Sequence, residues 1–310
     1  MVTEEVMESQ EELSTSSTAR ETGCAGDGSR EEAWPESDDD IIAEWLRGRP
    51  AHTLRAYRTA ITRFRTTVMK PLVAVTLTDL RGYADVLVAA GLAPASQRRL
   101  LAAVKSLFSF AQMSGYLPAN AGRTLRLPTV RGRLAERIPS EDDVLALLAS
   151  EPNPRNHAFI RLLYSAGLRL SEARALRWRD LQPRGDAGQV AVWGKGEKER
   201  IVLISAGTWS EVMALRPAPI APDDAVFPSR HGGTLSTTQA WRIVKTAAAQ
   251  ATLSTKLSPH WLRHAHASHA LDHGAPVSLV RDGLGHSSLL TTSQYAHARP
   301  GDGASRYLPV

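Results

Sequence analysis

Cysteine is nearly absent from this chain: Cys24 is the one residue of its kind among 310. A lone thiol closes no internal disulfide and builds no thiolate metal site by itself. A reducing compartment fits that usage, and a cytoplasmic location is the expectation. Long apolar runs are missing too. None approaches the roughly 18 residues that span a bilayer, so no membrane partner is expected. The N-terminus is acidic and shows no basic stretch followed by an apolar one, so it does not read as a secretory signal. Aromatic residues stand at 6%, yet hydrophobic residues reach 43% and charged residues 22%. That balance is the one of a globular protein with chain enough for about two domains.

Charge is plentiful but unevenly placed. Through Asp40 there are 13 Asp and Glu against 2 Arg, a balance of −11. The whole chain carries 37 Lys and Arg and 32 Asp and Glu, so residues 41–310 keep 35 and 19, a balance of +16. A body that basic favours a polyanionic partner, because neutralising phosphates releases condensed counterions. A merely solvated, arginine-rich surface reads the same way by count.

Residues 1–37 are rich in Glu, Ser, Thr and Gly with almost no apolar periodicity, and read as a disordered acidic tail. Residues 38–126 read as helical, with about four helices. Ile41, Ile42 and Trp45 mark the first, and Thr53 is the expected N-cap of a second that puts Leu54, Tyr57, Ile61 and Phe64 on one face. Thr78 is the expected cap of a third, and a fourth runs from Pro94 to about Ser114 with Gly115 behind it. A Pro, Gly and Arg-bearing stretch follows, with the linker placed at 127–139. From 140 to 310 a second domain opens at Ser140 with an acidic first helical turn. Two β-like runs, Gln189–Trp193 and Arg200–Ile204, flank a basic hairpin tip. The fold class expected is mainly α with a small β-sheet.

The chemistry-bearing residues sit in the second domain. In Ser258-Pro259-His260-Trp261-Leu262-Arg263-His264, Ser258 and Pro259 suit a helix start. His260 and Arg263 then share a face and can converge on one anion, the arginine as a fixed fork and the histidine as a proton carrier. His260 with His264, and His269 with His273, stand at the i, i+4 spacing of zinc-sharing imidazoles, but no Glu follows in an H-E-x-x-H pattern. Packing or solvent contact is the plainer reading of the extra histidines. In Gly167-Leu168-Arg169-Leu170-Ser171-Glu172 a glycine breaks one helix and Ser171 is the expected cap of the next. Arg169 is thereby held at a turn beside Glu172, an arrangement that a structural ion pair would share. Lys195 lies in the tip Gly194-Lys195-Gly196-Glu197-Lys198-Glu199, where a turn lysine is ordinary. Leu284-Gly285-His286 is followed by Tyr295, which alone would read as a packing residue near a C-terminus.

Taken in order and spacing, these segments resemble the catalytic domain of tyrosine recombinases of the bacterial Xer and phage-integrase type. The resemblance covers about Ser140 to the C-terminus by motif, and residues 38–126 are similar to the family's core-binding, SAM-like helical domain by position and pattern only. Trp261 and His266 depart from the usual wording of the His-x-x-Arg box. The implied fold is that helical domain followed by a mixed α/β catalytic domain. The implied activity is site-specific cleavage and rejoining of DNA through a 3′-phosphotyrosine. Tyr295 would be the nucleophile, Arg169 and Arg263 the holders of the non-bridging oxygens, and Lys195 the proton donor to the leaving oxygen. His260 would exchange protons with the tyrosine hydroxyl, His286 would hydrogen-bond the phosphate, and Glu172 would support the arginines without carrying a proton. The resemblance implies no cofactor and no metal. It implies double-stranded DNA as partner and a homo-tetramer in the synaptic complex, with or without a second recombinase or accessory protein. Ala296–Val310 would be a docking tail with Leu308 and Val310 as anchors, or a frayed end. Three alternatives remain: a type IB topoisomerase, a DNA-binding accessory protein without catalysis, and a histidine-metal hydrolase.

Overall fold

A computed structural model describes residues 37–130, 134–193 and 199–285, together with Thr292, Ser293 and Tyr295. The tail through residue 36, Lys195, His286, Leu308 and Val310 lie outside the described residues, and so do the expectations attached to them. The chain divides into two compact units on either side of residue 130.

Among the described residues the first unit contains four α-helices: α1 Asp38–Leu46, α2 Ala51–Val68, α3 Leu77–Ala89 and α4 Pro94–Met113. Each turns an apolar stripe inward, and the largest buried side chains are Trp45, Phe64, Tyr83 and Phe108. Phe64 meets Tyr83 at 5.3 Å and Phe108 at 6.0 Å between ring centroids, both edge to face, the arrangement in which ring edge meets ring face favourably. Two caps differ from expectation. Helix α2 begins after Pro50 and leaves Thr53 inside its first turn. Helix α3 is capped by Thr76, not Thr78, because only Thr76 has Asp79 three residues on to close a reciprocal capping box. The chain after α4 stays pinned to this unit. Leu125 is buried, and the Lys105 ammonium donates to the carbonyls of Arg123 and Leu125.

The second unit is mixed. Helix α5 (Glu141–Ala149) starts at a Ser140–Asp143 capping box, and α6 (Pro154–Ser165) is buried almost all round by Ala158, Phe159, Ile160, Leu162 and Leu163. A short α7 (Leu170–Ala175) leads to a three-stranded antiparallel sheet in the order β1 (Leu181–Arg184), β2 (Ala187–Trp193), β3 (Glu199–Ile204). The register pairs Leu181 with Val190 and Trp193 with Glu199. Val190, Val192, Val202 and Ile204 form the buried face, and Gly188 lets the Trp209 ring lie so close that a Cβ there would stand 2.0 Å from it. Helices α8 (Ala206–Ala214), α9 (Thr237–Gln250), α10 (Pro259–Asp272) and α11 (Val277–Leu284) complete the unit. The mainly α fold with a small sheet is the one expected. Among the described residues no helix is long and apolar enough to cross a membrane.

Candidate active site

The site is built around α10, a helix with almost no solvent face. Leu262, Arg263, His264, Ala265, Ala267, Ser268 and His269 are all buried. A polar side chain in that position has to find a partner, since an unpaired buried donor costs on the order of 1–3 kcal/mol. Arg263, 3% exposed, finds two carbonyls: Nη1 donates to Gly167 O and Nη2 to Leu284 O, both at 2.6 Å. One guanidinium thereby ties the turn before Arg169 to the end of α11. Burial first, and the neighbouring charge of Arg169 second, bring its pKa down to about 10. It stays charged at neutral pH.

Gly167 makes that turn possible. Its φ is +57°, and a Cβ would stand 2.5 Å from the His266 ring. The next helix starts differently from expectation. Arg169, not Ser171, is the N-cap of α7, because Glu172 reaches back to accept from the Arg169 backbone N–H at 2.7 Å. The same carboxylate accepts from Arg169 Nη1 at 2.8 Å, while Arg169 Nη2 reaches Gly285 O at 3.3 Å.

Glu172 has a second clamp. Arg200, at the start of β3, donates through Nη1 and Nη2 to its two oxygens at 2.9 and 2.8 Å, and through Nε to Gly283 O at 2.9 Å. Burial by itself would raise the Glu172 carboxyl, but the hydrogen bonds from Arg200 and Arg169 outweigh it and hold the group below its usual value. Glu172 is therefore a carboxylate locked between two guanidiniums, unsuited to moving protons.

Tyr295 is buried at 6% exposure, and its hydroxyl lies 2.7 Å from His264 Nδ1. Burial raises the hydroxyl's pKa, with the charge of Arg263 opposing. The phenol is thus protonated at neutral pH and needs a proton acceptor before it can act as a nucleophile. His260 stacks edge-on against His264 at 4.3 Å between centroids and itself faces solvent. Partial desolvation, then the charges of Arg263, Arg169 and Arg137, keep its pKa below the usual value. His266 is carried further, to about 4, chiefly by burial, and so packs as a neutral ring. His269 accepts or donates at 2.9 Å with the Tyr164 hydroxyl, and His273 pairs with Glu141 at the surface.

Arg169, Glu172, Arg263 and Tyr295 are thus gathered with His260 and His264 in one electrostatic neighbourhood, whereas Lys195 and His286 are not described. Strands β2 and β3 do pair Trp193 with Glu199, the residues on either side of the segment 194–198 to which Lys195 belongs. Two residues of this cluster have no role assigned by the motif reading. Arg200 alternates with Val202 and Ile204 on the inward face of β3, and a charge on an apolar face signals a buried partner. His264 was one of several helix histidines, and only the helix's near-complete burial distinguishes it. The paired histidines form no metal cluster: no group of three or more potential ligands exists among the described residues.

In sequence, a helical bundle precedes a mixed unit that gathers arginines, histidines and a tyrosine into one site. The phage integrase family profile matches residues 140–301, and the profile of that family's N-terminal SAM-like domain matches residues 44–115. Tyrosine recombinase XerD of Proteus mirabilis is 35% identical over 284 residues, covering 84% of this chain and 90% of the relative. The XerH recombinase in a post-cleavage complex with its difH substrate superposes with a TM-score of 0.67 at 20% identity, over 84% of this chain and 81% of that one. A lambda integrase tetramer bound to a Holliday junction gives 0.69 at 18% identity, over 86% and 78%. The chain belongs to the phage integrase family of tyrosine recombinases.

Proposed function

We propose that this site-specific recombinase breaks and rejoins double-stranded DNA with Tyr295 as nucleophile and Arg169, Arg263, Lys195, His260 and His286 as the residues around the phosphate. The observation that carries the reading is the convergence of a buried, protonated tyrosine hydroxyl on His264 beside two fixed guanidiniums. In the proposed step Tyr295 Oη forms a bond to phosphorus and the bond to the 5′ oxygen breaks. The hydroxyl proton passes to the histidine pair; His264 is the group in contact, and His260 stands against it. Lys195 gives a proton to the departing 5′ oxygen. Arg169 and Arg263 balance the charge that develops on the non-bridging oxygens. Rejoining reverses these steps with a different 5′-hydroxyl. The phosphotyrosine keeps the energy of the broken bond, and the guanidiniums supply the positive charge that metal ions supply in nuclease sites.

Residues 38–126 serve in this reading as the core-binding domain, 127–139 as the linker and 140–310 as the catalytic domain. Exchange between two duplexes calls for four protomers, and a lambda integrase neighbour in fold has been captured as such a tetramer on a junction. The segment Ala296–Val310 is the proposed docking tail between protomers. A location in the cytoplasm follows from the substrate.

The test uses nicked suicide duplexes cut from DNA flanking the chain's own gene, with EDTA present. Wild type forms an SDS-resistant, protease-sensitive adduct and Tyr295→Phe does not. Binding by both without an adduct from either would move the accessory-protein reading ahead. An adduct abolished by EDTA would favour metal-dependent chemistry.

A further inference from the structure

Resting on the recombinase reading, we infer that Arg200 is a positioning residue for the reaction: it occupies Glu172 so that the guanidinium of Arg169 keeps its direction for the phosphate. The case begins with geometry. Glu172 exposes 5% of its side chain and Arg200 12%, against 40% for Arg169. The buried pair is therefore Glu172 with Arg200, and Arg169 is the outer member that solvent and substrate can reach.

Arg200 commits three of its five N–H donors inside the protein. Two go to the two carboxylate oxygens and one goes to Gly283 O. Gly285 is fitted against it, since a Cβ there would stand 3.0 Å from the arginine Cδ. With 12% of its side chain exposed, Arg200 is turned toward these partners and not toward the surface. It holds together three pieces of the site: the strand that follows the hairpin, the N-cap of α7 where Arg169 sits, and the end of α11.

Charge points the same way. Arg169, Arg200, Arg263 and Glu172 sum to +2. Without Arg200 the sum is +1, and Glu172 would be left with Arg169 as its sole guanidinium partner. A buried carboxylate with one counter-ion draws that ion fully onto itself. Arg169, whose Nη1 already donates to Glu172 and whose Nη2 reaches Gly285 O at 3.3 Å, would then be drawn onto both carboxylate oxygens, away from the oxygens it is proposed to hold. Lysine cannot replace the arginine, because a point charge on a flexible stem does not serve two carboxylate oxygens and a carbonyl at once.

A merely structural role and a positioning role separate in a charge-matched double variant. Arg200→Met keeps the aliphatic stem over Gly285 but removes the charge. Arg200→Met with Glu172→Gln restores the sum to +2 and frees Arg169. The measurements are the single-turnover cleavage rate and the dissociation constant on the suicide duplex that wild type cleaves. Arg200→Met is expected to slow cleavage about 100-fold, the scale of a small misplacement of a catalytic group, with the dissociation constant within about threefold because few phosphate contacts are lost. The double variant is expected to recover about tenfold of that loss, a coupling typical of charges in contact. Arg200→Lys, which retains the net charge, is expected to fall between wild type and Arg200→Met. Cleavage by Arg200→Met at the wild-type rate overturns the inference. So does a double variant as slow as the single one, which would mean that Arg200 serves folding alone. Should Arg200→Met fold poorly, Arg200→Lys decides: a rate equal to wild type overturns the inference and a reduced rate at unchanged affinity supports it. The wild-type arm separates the two claims, because an adduct there with no effect of Arg200 leaves the recombinase reading standing.

Discussion

The two units solve opposite problems with similar helices. In the first, the interior is largely apolar: Trp45, Phe64, Tyr83, Leu107 and Phe108 fill it, and besides the Tyr83 hydroxyl Gln97 is the one buried polar side chain described in that unit. Polar groups there work at helix ends or outside. In the second, Glu151, Thr208, Arg263, His264, Ser268, His269 and Thr292 are buried alongside a comparable apolar core. Four of them lie on α10. Burying a polar group has a cost where a partner is missing, as at the Ser268 hydroxyl, whereas Arg263, His264 and His269 are tied into hydrogen bonds that fix side-chain direction. A core of rings tolerates a lost hydrogen bond; a core of linked guanidiniums and carbonyls does not.

That contrast breaks most sharply at Arg263. Arg263→Ala leaves the Gly167 and Leu284 carbonyls without their donor and removes a charge proposed to hold the phosphate. Cleavage should fall about 100- to 1,000-fold, and urea unfolding of the second unit should lose several kcal/mol, roughly 3, from the stranded buried groups. A variant as stable and active as wild type would erase the distinction between the units. Phe64→Ala is the counterpart in the first unit. It removes the ring between Tyr83 and Phe108 and should cost about 3–5 kcal/mol in that unit's unfolding transition. Single-turnover cleavage at saturating DNA, measured where the variant is folded, should stay close to wild type.

Acid separates the units next. His266 has its pKa lowered from 6.5 to about 4, so the unfolded chain takes up a proton at pH values where the folded one does not. Stability from this group is complete above pH 6.5 and is lost as pH falls toward 4, by on the order of 3 kcal/mol at about 1.4 kcal/mol per pH unit. Unfolding of the second unit measured at several pH values should show this slope, and His266→Gln should flatten it. The smallest effect should be shared. Thr76→Ala and Ser140→Ala each remove a capping box, one per unit, and each should cost about 1 kcal/mol in chemical denaturation. Equal costs would mean that helix ends obey local chemistry in both units while the interiors differ.

Legibility from sequence follows the same divide. Helical periodicity marks the first unit because its cores are stripes, yet it misplaces starts at Thr53 and Thr78. Threonine is a permissive cap, and only the reach to Asp79 selects Thr76. In the second unit the motif spacing leads to the cluster, since Arg169, Glu172, Arg263 and Tyr295 do meet. What the spacing hides is tertiary. The cap at Arg169 depends on Glu172 turning back, and Arg200 meets Glu172 across 28 residues of chain. His264 reaches Tyr295 across 31. Strand β1 is invisible for another reason: it is four residues long, contains Pro183 and buries Leu181 alone.

The most direct test of the central claim is to find the atom that carries the DNA. The covalent complex from a suicide duplex would be digested with nuclease and trypsin and read by tandem mass spectrometry. The account predicts a nucleotide mass on the peptide Asp282–Arg306, which follows Arg281, runs through the trypsin-resistant Arg299-Pro300 bond and holds Tyr295 as its single tyrosine, with fragment ions placing the mass on that residue. A nucleotide on any other residue, or on any other peptide, would contradict it.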